Sequence, residues 1–528
     1  MARADPTSPA ILSSFSEGGL AMFYFLNQYL FERNSGVEHA EIQRIKLFKL
    51  KGQPAQLITR DFDRHLHQTI LRFGLTDADL LNQYDFFQEV ADFADTRELR
   101  IDALPFPASY QVDADANGAR VTNGDRLVAQ VIYIPGTIGQ IDQVQYFDPT
   151  GNLVQSDLYD WRGFKTAEQY FGQDGQLITE YFFRLDGTRV IEKNYVKDTQ
   201  GNPLNTLISL REYHNHNFDF TSEDDFFAFF LDQVNRKNGL HNSFIADRPG
   251  MANAPLLAMT SPAKCYVFFP IAHAIDPKKQ QTAPLDGFYQ EALSPVGLTK
   301  LNGLITMTEQ QRDDLEQRLN GQERVYAIPG NFIAPEQAKR ERVLINTRMY
   351  HRLLFVGRIG PEKQLDQLIH AFELVHNGIP DATLEIRGYG DPNTTDQLKQ
   401  LASGLNLADS VQFMDYEPDL TAVYDNAQVF ALTSQVDAEP LAMIEAQIHG
   451  LPLVSYNFNY GPQTLIDDGT NGYLVAPGKV FALANRIMEL FRDPTKLQNF
   501  STAAYASSQR YSADAVWAKW QQLIDENQ

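Results

Sequence analysis

Two stretches of this chain place charged side chains where strands give way to helices. In the first, LLFVGRIGPEKQLDQLIHAF (353–372), an apolar run from Leu353 to Val356 opens into a turn carrying Arg358 and Lys363, five residues apart, and a helix follows. The N–H groups that open a helix already favour an anion, and two fixed cations beside them suit a diphosphate. In the second, VFALTSQVDAEPLAMIEAQIHGLPLVSYNFNYGPQTLIDDGTNGYLV (429–475), a strand over Val429 to Leu432 runs into the polar loop Thr433 to Glu439, which carries Asp437. A helix then carries Glu445 and stops at Gly450; a strand over Leu453 to Tyr456 leads to a turn-rich segment with Tyr460, Gly461, Gly469 and Gly472. In open α/β sheets ligands lie beyond the carboxyl ends of the strands, and both sets of charges fall there. His273 follows an apolar run and has the same kind of position. An imidazole there can donate a hydrogen bond to a sugar hydroxyl or a phosphate. Asn34-Ser35-Gly36 introduces a helix, and its glycine lets backbone come close to a ligand. Taken singly, these residues are equally compatible with capping carboxylates, solvated surface charges, a histidine satisfied by backbone and an ordinary helix cap.

The elements around them outgrow one core: 528 residues predict two or three domains. Hydrophobic residues make up 43% and charged ones 21%, which fits a globular protein, and no apolar run reaches the roughly 18 residues of a spanning helix. One cysteine, Cys265, excludes a disulfide framework and fits a reducing compartment. The N-terminus lacks a basic segment followed by a continuous apolar core, so no signal peptide is read. A cytoplasmic location is expected, with any peripheral attachment at the inner face of the cell membrane. The net charge of −22 argues against a nucleic-acid partner and against broad docking on an anionic membrane. It leaves room for a polyanionic acceptor if basic residues gather locally in a cleft.

In chain order, residues 1–21 read as a disordered leader, with Met22 a candidate start. A first α/β segment (22–94) holds a strand in MFYFLNQYLF, a helix with Val37, Ile42, Ile45 and Phe48 at helical spacing, a strand near Gln56 to Ile58, and a helical stretch to about Phe93. Residues 95–212 change to alternating Val, Ile, Tyr and Phe broken by turns at Gly151, Gly175, Gly187 and Gly201, the signature of antiparallel hairpins. Asp113 and Asp115 lie in this module beside a turn, so their Asp-x-Asp spacing is not read as a metal site. The α/β texture returns over 213–335, with a helix from Asp224 to Asn238, strands around NSFIADRP and KCYVFFPIAHAID, a strand from Leu301 to Met307 and a following helix. A hinge is placed near 331–350. Residues 336–510 alternate strand and helix cleanly, and 511–528 form a last helix carrying Trp517 and Trp520.

The G-R-x-x-x-E-K turn and the acidic pair eight residues apart resemble the retaining GT-B glycosyltransferases of family 4, which use nucleotide-sugar donors. With the inserted β module and the opening NQYLFERNSGVEHA, the chain is similar to the bacterial poly(glycerol-phosphate) and poly(ribitol-phosphate) α-glycosyltransferases of wall teichoic acid, and to their cousins that modify serine-rich adhesins. The resemblance implies two Rossmann-like domains facing a cleft, with the antiparallel module set into the first and the last helix crossing back onto it. It implies transfer of glucose or N-acetylglucosamine from a UDP-sugar to a polyol-phosphate polymer or a glycoprotein, with no metal or other cofactor. It also implies a homo-oligomer or a paralogous partner subunit through the β module. On the matching positions, Gly36 is the N-terminal loop glycine, His273 lies over the donor sugar, Arg358 and Lys363 hold the diphosphate, Glu445 holds the ribose hydroxyls, and Tyr460 and Gly461 form the loop that follows. Asp437 stands where the family usually has Glu, and Ala438-Glu439-Pro440 where it has Gly-Phe-Gly.

Overall fold

The computed structural model describes residues 21–93 and 95–526. All but Ala21 of the segment read as a leader lies outside them. Two parallel sheets and one antiparallel sheet carry the chain. The N-terminal sheet has seven strands in the order Val325–Ala327, Gly303–Thr306, Lys264–Phe269, Ser243–Ala246, Phe23–Asn27, Ala55–Thr59, Leu80–Asn82, all parallel. The C-terminal sheet has six, in the order Val411–Met414, Thr383–Arg387, Arg352–Val356, Val429–Leu432, Leu453–Tyr456, Gly472–Val475, also parallel. Their central strands are mainly apolar because helices cover both faces, so neither side of the strand meets water. Phe23–Asn27, Val429–Leu432 and Leu453–Tyr456 are buried at every position.

Between the strands Leu80–Asn82 and Ser243–Ala246 the chain leaves for a ten-stranded antiparallel sheet that runs from Gln111 to Phe220. Here burial alternates along the strand, as in Gly118–Asn123, because one face packs and the other does not. Gly151, Gly175, Gly187 and Gly201 each sit at a hairpin turn with φ between 74° and 88°, which a side chain would strain. The last hairpin, Pro203–Tyr213 to His216–Phe220, carries the sheet past residue 212. His214 and Asn215 turn it with positive φ angles of 50° and 63°, without a glycine.

Other elements differ from the sequence reading. The stretch expected to be helical up to Phe93 contains the short strand Leu80–Asn82 between Leu66–Arg72 and Gln83–Phe87. A further helix, Pro494–Ser508, follows Val480–Arg492 and precedes the last helix, Ala513–Asp525.

The final helix, Ala513–Asp525, lies on the N-terminal domain, where Trp520 is fully buried against Phe25 and Phe48 and Trp517 packs edge-on to Phe48. The two chain crossings between the domains run side by side: the Ile333 N–H donates to the Tyr511 carbonyl at 2.7 Å. Burying an aromatic side chain of this size stabilises by about 2–3 kcal/mol, so the second crossing is anchored by packing as well as by backbone.

Candidate active site

The charged residues singled out above lie beyond the carboxyl ends of the C-terminal strands, Arg358, Lys363 and Asp437 in the turns that leave them and Glu445 in the helix that follows. After Arg352–Val356 the chain turns through Gly357 to Pro361–Lys363 and enters the helix Leu365–Gly378. This turn packs backbone to backbone on the next one: a Cβ on Gly388 would lie 2.0 Å from the Gly357 carbonyl oxygen, and one on Gly390 at 2.0 Å from that of Ile359. Glycine is therefore required at both positions. The Arg358 guanidinium donates to Glu362 at 2.6 Å and remains half exposed.

Lys363 turns the other way. Its Nζ donates to Asp437 Oδ2 at 2.7 Å, with both side chains mostly covered. The Thr433 hydroxyl donates to the Lys363 carbonyl at 2.8 Å, which fastens the loop after Val429–Leu432 onto the basic turn. Lys363 and Asp437 are thus brought together, while Arg358 pairs separately.

Glu445 projects from the helix Leu441–Ile448, half-buried, and accepts a 2.8 Å hydrogen bond from the Tyr424 hydroxyl. Burial pushes its carboxyl up and the Tyr424 bond pulls it partly back. Gly36 opens the helix Gly36–Lys51 behind a Ser35–Glu38 capping box. A Cβ on it would just touch Leu441 of the opposite domain, 4.0 Å away. Close by, the Tyr416 hydroxyl meets His39 Nε2 at 3.2 Å, a further contact across the domains.

His273 is fully buried and makes its hydrogen bond to backbone. Its Nε2 lies 3.0 Å from the Gln280 carbonyl oxygen. A carbonyl only accepts, so the ring proton sits on Nε2 and Nδ1 is an acceptor. That corrects the expectation of a donor: the group left over is the Nδ1 lone pair, buried and without a protein partner. Burial holds the imidazole down at about 4, so it is neutral at neutral pH. The ring lies nearly parallel to that of Tyr460, 15° apart at 6.4 Å.

Tyr460 belongs to the C-terminal domain, yet its hydroxyl donates to Asp314 Oδ2 of the N-terminal helix Glu309–Arg318 at 2.7 Å. Its neighbour Asn459 accepts from Gln310 at 3.0 Å and donates to the Pro277 carbonyl at 3.2 Å. Gly461 has φ 100°, and a Cβ on it would lie 2.3 Å from Pro440 Cδ, so a proline at 440 requires glycine at 461. The loop 459–461 is therefore a bridge between the domains, made by Asp314, Gln310 and Asn459, which the sequence reading did not single out. Among the described residues no three His, Cys, Asp or Glu side chains are grouped to hold a metal ion, and Asp113 lies on an exposed strand.

Two parallel α/β domains closing on one cleft, with the inserted antiparallel sheet, make the GT-B fold. Residues 337–507 match the family described as glycosyl transferases group 1, and residues 110–201 match the GtfB middle domain. The chain is 24% identical over 520 residues to the UDP-N-acetylglucosamine–peptide N-acetylglucosaminyltransferase GtfA subunit of Streptococcus agalactiae, covering 94% of this chain and 97% of that one. It is 27% identical over 231 residues to the poly(ribitol-phosphate) alpha-N-acetylglucosaminyltransferase of Staphylococcus aureus, covering 43% and 44% respectively. Among solved structures it is similar to the pneumococcal O-GlcNAc transferase GtfA in complex with UDP and GlcNAc, with a TM-score of 0.81 at 20% identity over 97% of this chain and 99% of that one. It is similar also to TarM, at 0.78 and 18% identity over 97% and 100%.

Proposed function

We propose that the protein transfers a glucosyl or N-acetylglucosaminyl group, with retention, from a UDP-sugar to a teichoic acid polymer of the cell wall. The observation that carries the reading is the meeting of the basic turn and the acidic loop at the Lys363–Asp437 pair, at the carboxyl ends of neighbouring strands. When the glycosidic bond breaks, the leaving diphosphate gains charge, and Arg358, Lys363 and the start of the helix behind them would stabilise it where it develops. Glu445 would hold the ribose hydroxyls, and Asp437 a sugar hydroxyl or the diphosphate region. His273 would lie over the donor sugar and offer a lone pair to a hydroxyl. Gly36, Tyr460 and Gly461 would bound the donor from the loops around it. Attack from the face that the diphosphate leaves needs both substrates held in register, which domain closure supplies. The charges on Arg358 and Lys363 take the part that a metal ion plays elsewhere, so UDP binding should survive a chelator. The place of such a reaction is the cytoplasm, at the inner face of the membrane.

A second acceptor class is favoured by one observation. The similarity to the peptide N-acetylglucosaminyltransferase GtfA subunits runs end to end, whereas that to the poly(ribitol-phosphate) enzyme covers less than half of the chain. On that reading the acceptor is a serine-rich glycoprotein, and the chain works as one subunit beside a paralogue, catalytic or not. The test is transfer of labelled sugar from UDP-glucose and UDP-N-acetylglucosamine to purified teichoic acid and to a serine-rich polypeptide, with and without chelator. Label on the polypeptide alone overturns the polymer reading. Absence of UDP binding and of donor hydrolysis overturns the enzyme reading.

A further inference from the structure

Residues 438–440, where the resemblance would put Gly-Phe-Gly, make three fastenings, each to a different place. Ala438 is fully buried and packs in the hydrophobic cluster of the N-terminal domain, although it belongs to the C-terminal one. Pro440 lies against Gly461. Glu439 is only 3% exposed and reaches both chain crossings: Oε2 accepts from the Gly330 N–H at 2.8 Å, and Oε1 meets the Tyr511 hydroxyl at 3.2 Å. Gly330 has no room for a side chain, since a Cβ there would lie 2.7 Å from Met307 Sδ and 3.3 Å from Ala40 Cβ.

We propose that Glu439 is a positioning residue that ties the Asp437 loop to both interdomain crossings, so that the loop is set by the relative placement of the two domains. A buried carboxyl with one backbone donor and one hydroxyl keeps its ion poorly solvated. Burial accordingly pushes it up to about 8, against the Gly330 and Tyr511 bonds and the charge of Lys519, and with that of Asp437. Its two oxygens accept from the Gly330 N–H and from the Tyr511 hydroxyl, and so bridge the two strands of chain as a hydrogen-bonded clamp. Glutamine keeps one acceptor oxygen and a polar amide in the same place, toward which the Tyr511 hydroxyl can turn; alanine has neither. The loop then moves only as far as the crossings allow. Asp437, two residues before the clamp, is placed by it without touching it.

The catalytic half of this proposal rests on the function proposed above, so the test has an arm that does not. On the full chain, amide hydrogen exchange is measured for wild type, Glu439→Ala, Glu439→Gln and Tyr511→Phe, alongside UDP affinity and turnover of the UDP-sugar. Glu439→Ala is expected to speed exchange in 434–440 and in 328–333 together, to lower kcat at least tenfold, and to leave the UDP Kd within threefold. Glu439→Gln should stay within threefold of wild type throughout, where an ionised carboxylate acting on substrate would not tolerate it. Tyr511→Phe leaves the Gly330 bond intact and should still speed exchange in 434–440, seventy-two residues away. It therefore decides the matter if Glu439→Ala fails to fold. Unchanged exchange in 434–440 of Tyr511→Phe, or a Glu439→Gln variant as slow as Glu439→Ala, overturns the proposal. A wild type that binds no UDP overturns the functional reading instead, and leaves the exchange arm to decide the clamp.

Discussion

Replacing Asp437 by Asn separates two quantities that usually fall together in an active-site variant. In the structure Lys363 Nζ lies 2.7 Å from Asp437 Oδ2, with side chains 16% and 21% exposed. At an effective dielectric of about 20 the gross attraction at that distance is roughly 6 kcal/mol, but desolvation offsets most of it and the net worth of a partly covered pair is about 1–3 kcal/mol. A diphosphate that recruits Lys363 must share it with Asp437. Asn keeps the shape of the acceptor and removes the competing charge, so UDP should bind the variant about 3–10 times more tightly, roughly 0.7–1.4 kcal/mol. Turnover should move the other way. If Asp437 holds a donor hydroxyl, losing that charge-assisted bond takes away about 1.5–3 kcal/mol, a ten- to hundredfold fall in kcat. Titration calorimetry with UDP gives the first number and donor turnover the second. Lys363→Ala is the control, expected to weaken UDP at least tenfold. Weaker UDP binding by Asp437→Asn with turnover unchanged would refute the reasoning, because the pair would then be a structural bridge and not a shared cation.

Asp314→Asn removes the charged partner of the Tyr460 hydroxyl, a bond of about 1.5–3 kcal/mol between the domains. It should enlarge the radius of gyration in solution scattering, and an unchanged profile would show that the 459–461 bridge does not hold the cleft. Glu439 carries the opposite pH dependence from an ordinary carboxylate. Its folded-state value of about 8 lies above the unfolded 4.5, so its contribution is fully present below 4.5 and is lost as pH rises to 8. Glu439→Gln should gain on wild type by about 3 kcal/mol between pH 5 and 8 in denaturant melts, and a pH-independent difference would refute that assignment. On the β module, Val196 and Leu204 face each other across neighbouring strands and are both half exposed. Changing both to Lys should leave a monomer in sedimentation if this face is where copies or partners meet, whereas a wild type that is monomeric at every concentration would refute self-association.

Much of the architecture is legible because parallel strands covered on both faces must be apolar throughout. Leu353 to Val356 and Val429 to Leu432 carry that pattern unmixed, and Leu453 to Tyr456 breaks it only at Ser455. What escaped was structure whose signal is set by its surroundings. Leu80–Asn82 has only three residues and its asparagine side chain bonds across to Thr59, so no window of sequence reveals it as a strand. The hairpin at His214 and Asn215 uses left-handed residues that are not glycine. The helix Pro249–Ala258 contains Pro255, which reads as a helix breaker until burial of Leu256 and Leu257 outweighs it.

The site divides in the same way. Spacing along the chain exposes what one loop holds, so Arg358 and Lys363, or Asp437 and Glu445, can be picked out together. It says nothing of which charge each will meet. Lys363 finds Asp437 at 74 positions' distance, Tyr460 finds Asp314 at 146, and Glu439 finds Gly330 at 109. These three contacts also explain the departure at 438–440. A glycine-bearing loop is free to approach a donor, and its position must be fixed by the donor itself. Here the loop is already fixed, by the N-terminal core at Ala438, by the crossings at Glu439 and by Gly461 at Pro440. A loop held in advance loses less freedom when it binds. An aspartate one methylene shorter than glutamate can then still reach its partner, because the backbone under it has been brought to Lys363 beforehand.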